Sequence, residues 1–472
     1  MQGRSGDINI FSPVLSIIDG GSITTTSVGF GNSGHISIVA PTGVSLNGFS
    51  TLCGSSTIAT NVTPLAIFGE TNQPFADIAI GNAGNIVINT DSFVAENGGL
   101  INSAMSGIGN AGSVSITATE LLTLNGVSPR FPGGIVSQVD PIGIGDAGVI
   151  TLLTNNLNIL GGAQIRSAST GQGNAASIVI ELDGNLNISG TNSFGSSGLF
   201  SLIAPTGSGI GGDISISAFD LTITNSGQIN SSNSGIVSQL GTGNAGNITL
   251  DLEGLLRLED ADISTFSQNA GGGSIALKAR QVDLRRDGDI TSVVLTGVEN
   301  AGNIVFDASF VFAFDDSDIL AFAADGRGGD IDFSMTNGVF AENYIPGSPA
   351  PFEGNNRVDI NATGGIASGN ITIPDTTFIE NSLTSLTDAI TDTAALTAGS
   401  CIARTEGEDL GAFVITGAGG LPSQPGQASV SAFPTGVVRN LEPGSAPEAM
   451  IQEPDGVYRL PDGRLVLSRA CE

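Results

Sequence analysis

The residues in this chain that could do chemistry are few and far apart. Asn89-Thr90-Asp91 and Asp315-Asp316 have the composition of a carboxylate set for glycosidic cleavage, which needs two carboxyl groups facing one bond. They lie more than 200 residues apart, on different repeats, so they cannot share a substrate. His35 is the only histidine, which leaves a Ser-His-Asp relay a single candidate base with no carboxylate pattern around it. That His and the three cysteines, Cys53, Cys401 and Cys471, are too scattered for zinc. The Gly/Asp-rich run Asp325 to Asp332, and Asp315 with Asp316 and Asp318, could attract a calcium ion, but the calcium-binding nonapeptide array is absent. These acidic groups read first as ordinary surface. Lys278, Arg280, Arg285 and Arg286 form the densest group of cations, at outward strand parity, and read first as a solvated face. Aromatic residues are few, and the sequence shows no aromatic platform for sugar stacking. No catalytic residue, metal ligand or cofactor motif emerges, so the chain reads as non-enzymatic.

The elements that carry these residues follow from one repeated stretch. Gly81-Asn82-Ala83-Gly84-Asn85-Ile86 recurs at Gly243 to Ile248 and, less its first glycine, at Asn300 to Ile304. Looser copies read Gly-x-x-Gly-x-Ile/Val. Indexed by the second glycine they fall at Gly6, Gly34, Gly84, Gly112, Gly148, Ala176, Gly212, Gly246, Gly273, Gly302, Gly329 and Gly369. From position 6 to position 369 in eleven steps the mean spacing is 33 residues, the mark of a stacked repeat. In seven copies an Ile follows the anchor's aliphatic residue by 15 positions: Ile23, Ile101, Ile165, Ile229, Ile263, Ile290 and Ile319. The same seven are apolar at +2, and at +7, where Leu15, Phe93, Leu157, Leu221, Leu255, Val282 and Val311 stand.

Spacing by two is the strand period, so each copy holds about three short strands with one buried face. Turn signals precede the +15 Ile at Asp19-Gly20-Gly21, Asn97-Gly98-Gly99, Gly161-Gly162-Ala163 and Arg286-Asp287-Gly288, residue types that tolerate a left-handed bend. Such a unit cannot bury its apolar face alone. It does so when each winding rests on the last, which is a parallel β-helix, right-handed as parallel crossovers are. Twelve coils at strand spacing span roughly 57 Å. A phosphate-cradling Gly loop needs a following helix, whereas a strand follows here. A propeller needs longer, four-stranded blades, and a flexible linker would not keep aliphatic columns.

The reading is therefore all-β: residues 1–379 form the β-helix. Residues 380–400, with Leu383, Leu386, Ala389, Ile390 and Ala394 at helical period, form a capping helix over the open apolar end. Residues 401–472 form a Pro/Gly-rich tail that closes in a hairpin, Val457 to Leu460 and Arg464 to Leu467 about Pro461-Asp462-Gly463. Cys401 and Cys471 flank this tail. In an exported chain they would bond to each other; in a reducing compartment they stay two thiols. Net charge is 15 − 45 = −30, which disfavours nucleic acid because phosphate binding needs Lys and Arg. No apolar run reaches the length of a membrane helix. Met1 is followed almost at once by an anchor, without the charged and apolar regions of a signal peptide. The expectation is a C-terminal part of a longer protein, or a truncated gene product.

The coils, together with Asn381-Ser382-Leu383-Thr384-Ser385-Leu386, Ser400-Cys401-Ile402-Ala403-Arg404, Thr416 to Pro422 and Gly456 to Pro461, make the chain resemble filamentous-haemagglutinin-like exoproteins of two-partner secretion, in the form common in cyanobacteria. The resemblance implies an adhesin-like, secreted or cell-surface protein. It also implies delivery by an outer-membrane transporter that engages an N-terminal domain not present here. Surface polysaccharide or other cells are the implied partners, with extracellular or outer-surface localisation. The alternatives are a passive, cation-binding envelope or matrix component, and, last, a polysaccharide-degrading β-helix enzyme.

Overall fold

A computed structural model describes residues 3–51, 54–64, 79–126, 132–235, 243–347 and 354–374, with 438–440, 456–459, 461, 463 and 465–468 in the tail. The chain divides into two compact units, Met1–Thr376 and Thr377–Glu472. Among the described residues the secondary structure is all β, with many parallel strands and no helix. The segment 380–400, where a capping helix is expected, and Cys53, Cys401 and Cys471 lie outside the described residues.

Each repeat, here called a rung and numbered one to twelve by anchor order, contributes a strand to as many as three parallel ladders. The first ladder runs unbroken through Ile8, Ile36, Ile86, Val114, Ile150, Ile178, Ile214, Ile248, Ile275, Ile304, Ile331 and Ile371, each paired in register with the next. From Ile36 to Ile331 every one of these side chains is 0% exposed. The second ladder runs through Leu15, Val44, Phe93, Leu122, Leu157, Leu186, Leu221, Leu256, Val282, Val311 and Val339. The third runs through Ile23, Ile58, Ile101, Ile135, Ile165, Leu199, Ile229, Ile263, Ile290, Ile319 and Ile360. The three columns meet in one continuous core. Alternation is strict: Ile86–Glu96 begins buried, exposed, buried, exposed. Burying one such aliphatic side chain is worth about 1.5–3 kcal/mol, so the columns are the main source of cohesion.

Some strands serve two ladders. Ile150–Leu160 and Ile275–Val294 bend from the first ladder into the second. The pairings between them therefore close into a circuit of eight parallel strands. The bend before the third ladder is made where the sequence places it: Asp19 and Gly20, Asn97 and Gly98, Gly161 and Gly162, and Arg286 and Asp287 all have left-handed φ.

Two details correct the sequence reading. Leu255 is not the second-ladder residue of rung eight: Leu256 pairs with Val282 and Leu221, and Leu255 is half-exposed. Rung eight carries one extra residue in its first bend, where the Gly254 N–H donates to the Phe219 carbonyl at 2.8 Å. It recovers the frame by using a single left-handed residue, Asp260, in its second bend, where rung seven uses Asn225 and Ser226 and rung nine Arg286 and Asp287. Rungs two, four, six and eleven do have a third-ladder aliphatic, at Ile58, Ile135, Leu199 and Ile360. Each carries one extra residue in its first bend, and the rest of its extra residues fall between the second and third strands.

The anchor is the bend from the third ladder back to the first. Its glycines stack without room for a side chain: a Cβ on Gly112 would lie 1.9 Å from the Gly84 carbonyl oxygen. A column of buried hydroxyls two residues beyond the third-ladder aliphatics ties these bends together. Ser103, Ser137, Ser201 and Ser292 accept from the N–H groups of Gly112, Gly148, Gly212 and Gly302 at 2.7–3.0 Å. Ser137 also donates to the Gly112 carbonyl at 3.0 Å. Outside, side-chain oxygens of one rung accept the N–H of the next, as Asn32 to Asn82, Asn82 to Asn110 and Asn110 to Asp146. This is how a polar, Gly-rich bend leaves its buried backbone groups satisfied.

In the second unit, Gly456–Arg459 pairs antiparallel with Leu465–Ser468, the hairpin read from the sequence. Val438–Asn440 adds in parallel to Gly456–Arg459.

Candidate functional site

The residues singled out from the sequence are placed as parts of the scaffold. Thr90 is buried, its hydroxyl donating to the Ala40 carbonyl at 2.7 Å, and Asp91 accepts from the Thr119 hydroxyl. Asp315 and Asp316 form a left-handed bend seven rungs away, about 33 Å at strand spacing. Asp316 accepts from the N–H groups of Asn355 and Arg357. The two motifs are not brought together. His35 takes part in the outer column of the anchor, its Nδ1 accepting the Asn85 N–H at 2.9 Å. In the Asp325 to Asp332 run, Arg327 pairs with Asp330 at 2.8 Å, and Asp330 accepts the Asn370 N–H. Among the described residues, no three His, Cys, Asp or Glu side chains are grouped to hold a metal.

The cationic face of rungs eight and nine is a lattice of opposite charges. Lys278 pairs with Asp251 at 2.8 Å, and that hydrogen bond pushes the ammonium pKa up. Arg257 and Arg286 converge on Glu259 at 2.7 and 2.6 Å, and Arg285 pairs with Asp283 at 2.8 Å. Arg280 is exposed beside a 420 Å³ groove whose walls include Glu253, Asp307, Ser309 and Asn337. Exposed pairs of this kind contribute little stability, and the interspersed acids leave no basic field for a polyanion such as nucleic acid.

Outward aromatics are present on rungs ten and eleven. Phe310 and Phe312 alternate along the second-ladder strand of rung ten, Phe314 follows just past its end, and Phe340 stands on rung eleven. Phe312 stacks on Phe340 with centroids 5.0 Å apart and planes 9° apart, and Arg285 lies over Phe314 at 4.2 Å. The rings take one another's faces along the column, so they bind rung to rung more than they present a platform. The alternation Phe310-Val311-Phe312-Ala313-Phe314 was the signal for them.

Beside them stands a column of buried carboxylates. The Asp318 N–H donates to Asp289 at 2.7 Å, the Asp359 N–H donates to Asp318 at 2.8 Å, and Arg357 pairs with Asp359 at 2.9 Å. They repeat inside the fold what Asn does outside it. One rung before them, burial pushes the Asp262 carboxyl up, against the hydrogen bond from Gln228; neighbouring Asp287 and Asp260 push it the same way as burial. Burial also raises Asp287, with Asp316 and Asp260 adding to it.

No family model, no curated protein and no solved structure matches this chain. Among the described residues no helix is long and apolar enough to cross a membrane, a statement that leaves membrane β-barrels aside.

Proposed function

We propose that this chain is a non-enzymatic, adhesin-like structural protein of the cell surface or medium. In this reading it is a right-handed parallel β-helix of about twelve coils that holds outward side chains along its length. The observation that carries it is the unbroken register of the first ladder from Ile8 to Ile371. Such a column fixes its inner positions and leaves the outer face free to vary, as a contact surface requires. The hand follows from the preference of parallel crossovers. Export through an outer-membrane two-partner-secretion transporter, with polysaccharide or other cells as partners, rests on the resemblance of the coil and tail motifs. Beads coated with the chain should adhere to cells or to immobilised surface polysaccharide, and beads coated with heat-denatured chain should not. Equal adhesion by both would contradict the reading.

A second reading, a passive matrix component whose rods are bridged by cations, draws on the net charge of −30. Calcium-dependent growth of light scattering, with no adhesion by coated beads, would favour it over the first.

A further inference from the structure

A second surface, far from the cationic face, has the makings of a site. A groove of 450 Å³ crosses the outer face of the third ladder on rungs one to five, about 19 Å along the column. Its floor is unusual, because the outward side chains Ala104 and Val136 are themselves buried. Arg166 enters it beside Val136, its neighbour in the ladder. It is the only described cation between Arg4 and Arg257. One guanidinium N–H donates to Gln138 at 3.1 Å. Gln138 in turn donates to Asp140 at 2.7 Å, and Asp140 also accepts from the Ser106 hydroxyl. This chain of contacts orients the guanidinium, while its Nε is buried and meets no acceptor. Burial holds the guanidinium pKa down, with Asp140 opposing, so a further anion would be welcome there. A buried donor left without a partner is costly and needs a reason. Further along the groove the Asn102 amide donates to Asn61 at 3.4 Å, leaving amide hydrogens and lone pairs for a ligand.

From this geometry we infer that the groove binds an acidic saccharide chain, with Arg166 receiving the carboxylate of a uronic acid unit and Asn61, Asn102 and Gln138 receiving hydroxyl groups. The planar guanidinium fork matches a carboxylate. The length favours an oligomer over a single sugar. A peptide strand has no edge to add to, because the backbones of rungs two to five are already paired on both sides in this ladder. The assignment rests on the adhesive reading only for its setting on the cell, since the site itself is tested in solution.

The experiment is calorimetry on the full chain with trigalacturonate, its methyl ester, and a short neutral-side-chain peptide ending in a free carboxylate. Saturable binding of trigalacturonate is expected, weakened about tenfold or more by methyl esterification and by Arg166→Gln. Asn102→Asp, which adds a negative charge without changing size, should weaken it comparably while leaving the circular dichroism melt in place. Absence of saturable binding by the unaltered chain, equal binding of the ester, or equal binding of the peptide would overturn the assignment. Failure of coated beads to adhere would sink the adhesive role and leave the calorimetric result standing.

Discussion

Ser137→Ala tests the hydroxyl column, because the change removes little volume and two hydrogen bonds. Ser137 is 0% exposed. Its oxygen accepts the Gly148 N–H at 2.8 Å and donates to the Gly112 carbonyl at 3.0 Å, so one side chain joins the anchors of two successive rungs. Alanine strands both backbone groups. Each buried group left without a partner costs about 1–3 kcal/mol, so the expected loss is about 2–6 kcal/mol. The outward Ser115, half-exposed on rung four, is the control, and Ser115→Ala should stay within about 0.5 kcal/mol. Urea denaturation gives the global value. A stacked chain can also open locally, so hydrogen exchange at the Gly148 amide is the sharper readout. That amide should lose protection in Ser137→Ala before amides in rungs nine and ten do. A loss below about 0.5 kcal/mol with unchanged Gly148 protection would refute the claim that buried hydroxyls hold the anchor.

Two further outcomes follow from the register and from the buried acids. Leu256→Ala should cost about 2–5 kcal/mol in urea denaturation and Leu255→Ala less than about 1, because only Leu256 is in the core column; the reverse order would restore the uninterrupted sequence frame. Burial raises the Asp262 pKa, so the folded chain holds that proton more tightly than the unfolded chain, and stability falls as pH rises between the two values. Asp262→Asn should therefore raise the denaturation midpoint at pH 7, with the gain fading as pH falls below the carboxylate range. An equal gain at pH 7 and pH 3 would contradict the assignment.

The columns were legible in the sequence because aliphatic identity and the 33-residue spacing report the same stacking. Ile86, Ile248 and Ile304, far apart in the chain, share one ladder. The bends were legible because Asn97-Gly98 and Gly161-Gly162 are residue types that left-handed backbone selects. Leu256 was missed because an extra residue in one bend is compensated in the next, which leaves Ile248 and Ile263 in frame and hides the slip between them. Ile58, Ile135, Leu199 and Ile360 were missed because insertions before them break a fixed offset. The hydroxyl column was present as Ser or Thr two places after the third-ladder aliphatic, in Ser103, Ser167, Ser231, Thr265 and Ser292, but its meaning depends on which glycine lies beside it in space. The same holds for the groove around Arg166. Its Arg, Gln, Asp and Ser come from three rungs, and no spacing in the chain announces that they meet.

The central claim is that equivalent residues of successive rungs lie one strand spacing apart along a single column. Ser37, Ser215 and Val305 occupy the same outward position, next to Ile36, Ile214 and Ile304, on rungs two, seven and ten. With the three cysteines replaced, nitroxide labels placed pairwise at these positions and measured by double electron–electron resonance should give about 24 Å for Ser37 with Ser215 and about 38 Å for Ser37 with Val305, in proportion to the five and eight rungs between them. Distances that fail to grow with rung number, or that match separate globular cores, would contradict it.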